Sequence, residues 1–165
     1  MNCDTNDTVA YIKRLAQDLA GCEVPCAVIS MLLEMTVPAN FDGFEYLKAA
    51  VVIQQEEPTR DLVNQIYRML AERYSVSEEI VASSIRSAIS TAWKRADREI
   101  WYLYLPTIPR DRDSAPTNAE VIAGLARITE LWKGCADAYL RQRGKEVVSC
   151  EQRELLSGGA FQAVP

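Results

Sequence analysis

Residues 59–96 read TRDLVNQIYRMLAERYSVSEEIVASSIRSAISTAWKRA, and they decide the fold class of the chain. Leu62, Val63, Ile66, Met69 and Leu70 recur at three- and four-residue intervals and line one side of a helix. Thr59 offers a capping hydroxyl in front of them, which predicts a helix over 59–73. Tyr74-Ser75-Val76-Ser77 interrupts the pattern, and Ser75 with Glu78 three positions on has the form of a capping box. A second stripe follows on a helix over 77–96, formed by Val81, Ile85, Ala88, Ile89 and Ala92 with Trp93 at its edge. Glu79, Ser83, Arg86, Ser87, Ser90 and Lys94 project on its other side. Two helices joined by about three residues have the form of a helix-turn-helix, whose second helix lies in the major groove. Short helical hairpins are abundant, so spacing alone is a weak signal for that use.

Toward the N-terminus, Val9, Ile12, Leu15, Ala16 and Leu19 follow Asp4, Thr5 and Asp7, any of which can accept the free amides of a first turn. They predict a helix over about 7–20, closed by Gly21. Pro25 suits the first turn of a second helix carrying Val28, Ile29, Leu32, Leu33 and Met35 as far as Pro38. Asp42 and Gly43 open a third, with Phe44, Leu47 and Val51 on its regular face, and Pro58 stops it. Toward the C-terminus, residues 99–105, EIWYLYL, have the composition of a strand but no second strand to pair with. They are assigned to a short helix or an apolar arm. Pro106, Pro109 and Pro116 bracket a polar loop, after which Thr117 or Asn118 caps a helix through Val121, Ile122, Leu125, Ile128 and Leu131. That helix is expected to run to about Arg143, with Gly144 at its end, and the chain to fray after Glu154. The expected class is all-α, about six helices with one helix-turn-helix.

The 165 residues carry 18 Lys+Arg against 23 Asp+Glu, a net charge of −5, and 48% of them are apolar. This suits one domain with modest extensions, whose core needs neither disulfide nor zinc. Histidine is absent, which removes the usual general base, the Ser-His and Cys-His pairs, and His-containing metal sites. Adjacent carboxylates such as Glu56-Glu57 point about 100° apart on a helix and form no acid–base dyad. No enzymatic activity, cofactor or metal is expected. Cys3, Cys22, Cys26, Cys135 and Cys150 make an odd set without paired metal knuckles and read as reduced thiols, buried or neutral. No apolar run approaches the ~20 residues of a membrane span, and no secretory leader opens the chain, so a cytoplasmic location is expected.

Certain residues carry more than periodicity: Val37-Pro38-Ala39 followed by Gly43 and Tyr46-Leu47, then Ile85-Arg86, Ala88-Ile89 and Ala92-Trp93, then Pro116-Thr117-Asn118 with Glu120. Through them the chain, from about Val28 to Leu131, resembles the C-terminal effector domain of the stage-zero sporulation master regulator of endospore-forming Firmicutes. The resemblance implies a six-helix domain whose helix-turn-helix binds double-stranded promoter DNA, often as tandem copies, and which contacts the RNA polymerase sigma subunit. The chain then divides into an N-terminal helical extension over 1–27, the effector domain over 28–134, and a C-terminal helical extension with a frayed tail over 135–165. In the family a phosphorylated receiver precedes the domain. With about 27 residues ahead of the match, the receiver, its phosphoacceptor aspartate and any divalent-ion pocket are expected to be missing, and control must differ.

The family places arginines and a glutamate against base edges, and the resemblance carries those positions onto Ile80, Ala82, Ser83, Arg86 and Ser87. Only Arg86 keeps the chemistry, a guanidinium able to make a bidentate bond to guanine worth roughly 1–3 kcal/mol. The expected DNA-binding residues are therefore Ser83, Arg86, Ser87 and Ser90 at base edges, with Lys94, Arg95 and Arg98 near phosphates. Charge opposes this. Glu78 and Glu79 fill the first turn, where a phosphate would otherwise bind. Residues 36–134 hold 12 Lys+Arg against 14 Asp+Glu, a balance of −2, where DNA-binding domains show a cationic footprint.

Two functions stand open: a stand-alone DNA-binding regulator of transcription, and a protein-interaction module that kept the fold but lost base reading, acting on RNA polymerase or a full-length relative. The second draws on the acidic balance and on the apolar run 100–105, which lies where the family approaches sigma, although an aromatic run is more often core than interface. The stripe of the first helix offers a homodimer seam, with packing back onto the domain the simpler outcome.

Overall fold

The structure is a computed structural model that describes residues 5–58 and 61–157. Among these residues seven helices follow one another: α1 (Thr5–Asp18), α2 (Val24–Glu34), α3 (Asp42–Glu56), α4 (Leu62–Tyr74), α5 (Glu78–Arg95), α6 (Arg98–Tyr104) and α7 (Asn118–Ser157). No strand forms among the described residues, and the run at 99–105 is the short helix α6.

Helix α3 sits at the centre and packs against α2, α4, α5 and α7. It buries Phe44, Tyr46, Leu47, Ala49, Ala50, Val51 and Ile53, which explains why its apolar positions look irregular in sequence: a helix with neighbours on several sides has no single stripe. Helix α1 packs back onto α6 and α7, burying Ile12 and Ala16 at 1% exposure each. Of its stripe, Ile12 and Ala16 are thus packed within the chain, Leu15 and Leu19 are half-buried, and Val9 is exposed. The Glu34 carboxylate of α2 accepts hydrogen bonds from Tyr11 of α1 and Tyr104 of α6. Burial above all, and then that carboxylate, pushes the Tyr104 phenol far above its ordinary range, so it stays a neutral donor.

Three helix boundaries differ from the sequence expectation. Helix α2 stops at Glu34, short of the Pro38 expected, and the chain turns left-handed at Thr36 (φ 59°), with the Val37 amide donating to Leu32 O at 2.9 Å. Helix α4 ends in a left-handed turn at Ser75 (φ 55°), where the Val76 amide donates to Ala71 O at 3.1 Å and the Ser75 amide to Glu72 O at 3.4 Å. This is the Schellman pattern. It consumes Ser75 as the stop of α4, so the box expected at Ser75–Glu78 does not form, and Ser77 caps α5, its Oγ accepting from the Ile80 amide at 3.3 Å. At the other end α7 passes through Gly144 to Ser157, against the stop expected there. One glycine costs a helix interior about 1 kcal/mol, and its neighbours Arg141-Gln142-Arg143 and Lys145-Glu146 are good helix formers. The cap expected at Thr59 lies outside the described residues. Cys22 and Cys26 are free and exposed, not buried, and Cys135 is half-buried.

Candidate nucleic-acid interface

Helix α5 is seated by contact on its inner side. Val81, Ile85, Ala88, Ile89, Ala92 and Trp93 are buried there, and α3 crosses it so closely that a Cβ on Gly43 would stand 2.1 Å from the Ser84 carbonyl oxygen. Only glycine admits that approach. Trp93 meets Trp101 of α6 edge to face, with ring centroids 5.3 Å apart. Trp101, Tyr102, Tyr104 and Leu105 are themselves buried, so the aromatic run weighed as a protein interface belongs to the core.

The loop between α6 and α7 is laced to α5 and α6 by side chains that donate to its carbonyls. Arg86 Nη1 reaches Pro116 O at 2.6 Å, Trp93 Nε1 reaches Asp113 O at 3.0 Å, Arg98 Nη1 reaches Arg112 O at 3.1 Å, and Tyr102 Oη reaches Arg110 O at 2.9 Å. A loop outside regular structure needs such partners for its backbone. Its end forms a reciprocal capping box: Thr117 Oγ1 accepts from the Glu120 amide at 3.2 Å, and Glu120 Oε2 accepts from the Thr117 amide at 2.7 Å. Arg112 pairs with the same carboxylate at 2.8 Å. That pairing first, and then the Thr117 amide, hold the Glu120 carboxyl below its ordinary value.

Asn118 Nδ2 then donates to Tyr67 Oη of α4 at 2.8 Å and to Ala82 O of α5 at 2.9 Å. One amide group therefore pins both helices of the hairpin to the start of α7. Burial pushes the Tyr67 phenol up, against a smaller opposing effect from Asn118. The sequence piece Pro116-Thr117-Asn118 with Glu120 is thus the clamp that positions the hairpin. Its partners were not legible beforehand.

On the outward side, Ser83, Arg86, Ser87, Lys94 and Arg95 are exposed and Ser90 is half-buried. Ile80, Ser83 and Ser87, spaced three and four residues apart, share one strip, which Ser90 and Lys94 continue. Arg86 stands about 100° around from Ser87, and its Nη1 is engaged by Pro116. Arg98 does not project with Lys94 and Arg95: its guanidinium lies 4.6 Å over the Trp93 ring and donates to the loop. Ser83 Oγ donates back to Ile80 O at 3.2 Å. Ile80 is 48% exposed; the resemblance carries a family position onto it, yet the expected DNA-binding residues leave it out. The signal was there: an isoleucine lying off the stripe of Val81, Ile85 and Ala88.

Charge changes sign along the helix, with Glu78 and Glu79 in the first turn and Lys94 and Arg95 in the last, as the helix dipole favours. The Glu79 carboxyl is held below its ordinary value by its own backbone amide first and then by Ser77, so it stays ionised over the free amides. Glu78 faces Arg68 of α4 at 3.9 Å. Among the described residues no three His, Cys, Asp or Glu side chains gather to hold a metal ion. None of the described helices is long and apolar enough to cross a membrane.

The family model described as sporulation initiation factor Spo0A C terminal matches residues 28–128. The match takes in the Gly43 crossing, the hairpin and the whole Pro116–Glu120 clamp. The family's domains bind DNA and interact with RNA polymerase. With its hairpin, crossing and clamp all inside a match that spans well over half of the 165 residues, the chain belongs to the sporulation initiation factor Spo0A C-terminal family of DNA-binding transcription regulators.

Proposed function

We propose that this chain regulates transcription by laying the outward side of α5 in the major groove of promoter DNA, and that the 165-residue chain suffices for it. The observation that carries this is the contrast on α5. Its inner side is locked by the Gly43 crossing and by Asn118, while Ser83 and Ser87 on the outer side are exposed. A recognition helix needs that combination of fixed position and accessible surface. Ser83, Ser87 and Ser90 face base edges, and Lys94 and Arg95 face phosphates. Arg86 keeps its Nε–Nη2 edge for one guanine or phosphate while Nη1 holds Pro116. A second copy on a tandem site and the RNA polymerase sigma subunit are the expected further partners, in the cytoplasm.

A second reading, a protein-binding module without base recognition, is favoured by the acidic first turn and by the engaged Arg86. The two readings part in one titration of the chain against a pool of random duplexes. Enrichment of a motif, with affinity falling steeply from ~50 mM salt to physiological salt, supports DNA reading. No duplex retained at ~50 mM salt and micromolar protein overturns it. Arg86→Ala is expected to relax one base position while leaving the rest of the motif in place.

A further inference from the structure

We infer that the N-terminal half of α5 reads A·T pairs, with Ile80 packed on a thymine 5-methyl group and Ser83 accepting from adenine N6. This rests on the reading that α5 enters a duplex, and it names what that helix recognises. In the major groove the thymine methyl is the apolar feature of a base-pair edge, and adenine N6 is a donor beside it. Ile80 is 48% exposed in the first turns of α5, the part of a recognition helix that contacts bases. Ser83, three residues on along the same strip, has its hydroxyl proton committed to Ile80 O at 3.2 Å, so it offers the groove lone pairs and suits a donor. A cytosine N4 amine would satisfy Ser83 but gives Ile80 no methyl to cover.

A guanine met by the free edge of Arg86 belongs to a different part of the site from the one Ile80 covers. Arg86 stands six residues from Ile80, about 120° around the helix, and its Nη1 is held at 2.6 Å by the Pro116 carbonyl. Glu78 and Glu79 flank this end of the helix and repel phosphate from it, which leaves Ile80 as the contact available there.

The test compares one duplex selected from the random pool with the same duplex carrying deoxyuridine for thymine throughout the bound motif, a change that removes the 5-methyl groups and keeps the base pairs. The chain is expected to bind the deoxyuridine duplex about fourfold more weakly for each methyl that Ile80 covers. Ile80→Ala, at an exposed position that keeps the fold, is expected to bind both duplexes alike. Equal binding of the two duplexes by the unmodified chain, or a preference for thymine that survives Ile80→Ala, overturns this inference and leaves DNA reading standing. Retention of no duplex at low salt overturns DNA reading and this inference with it.

Discussion

The two sides of α5 are built to opposite standards. Inward, Val81, Ile85, Ala88, Ile89 and Ala92 are fully buried, and the backbone of α3 comes within the reach of a single methyl group at Gly43. Outward, the strip of Ile80, Ser83 and Ser87 has one half-exposed isoleucine and two exposed serines. Dense packing makes the inner side intolerant of a single added carbon, whereas the outer side is free to vary with its ligand. Gly43, Ile85, Ala88, Ile89, Ala92 and Trp93, among the residues through which the chain resembles its family, all lie at this packed side.

The strongest way to break this contrast is Gly43→Ala, which drives a methyl into the Ser84 carbonyl oxygen, a backbone atom unable to step aside. It is expected to cost about 3 kcal/mol, the upper end of ordinary overpacking, measured by urea denaturation. A loss under about 1 kcal/mol, small against that range, would show that the crossing is looser than described.

Next comes the clamp. Thr117→Ala removes the cap of α7 and is expected to cost about 1 kcal/mol. Glu120, the other half of the box, adds a pH dependence. Its folded carboxyl lies below the ordinary value of 4.5, so its contribution is present above that value and is lost as pH falls through the folded one. The stability gap between the native chain and Glu120→Gln should therefore be open at neutral pH and close in acid. A gap that stays constant between neutral pH and strong acid would remove the charge from the account.

The smallest effect sharpens the other half of the comparison. Ser87→Ala should change stability by less than about 0.5 kcal/mol, as surface substitutions do, while altering the base preference of the selected duplex at one position. A stability loss above about 1 kcal/mol would place Ser87 in the packing and not on the free side.

Much of the fold was legible because helices announce themselves locally. The stripes of α1, α2, α4 and α5 follow the helical period, and Pro25 and Pro58 marked a start and a stop. Misreadings arose where local signals were equivalent. Ser75 and Ser77 both carry a hydroxyl, and only the bond from Val76 to Ala71 decides which one ends α4 and which begins α5. Gly144 looked like a stop, but glycine ends a helix only when the chain has reason to turn away. At the site, the outward serines, Lys94 and Arg95 could be placed by counting around the helix. The fate of Arg86 and Arg98 could not, because their partners lie 30 and 14 residues along the chain.

By itself, then, the order of residues determined the helical class, the hairpin and the side of α5 that faces out, since those follow from bonds and contacts within a turn or two of each residue. Only the tertiary structure decided that Arg86 shares itself with Pro116, that Asn118 pins the hairpin, that the aromatic run of α6 is core and that α1 folds back. Each of those depends on which distant segment comes to satisfy a buried polar or apolar group. That is settled by packing in three dimensions and leaves no period in the sequence.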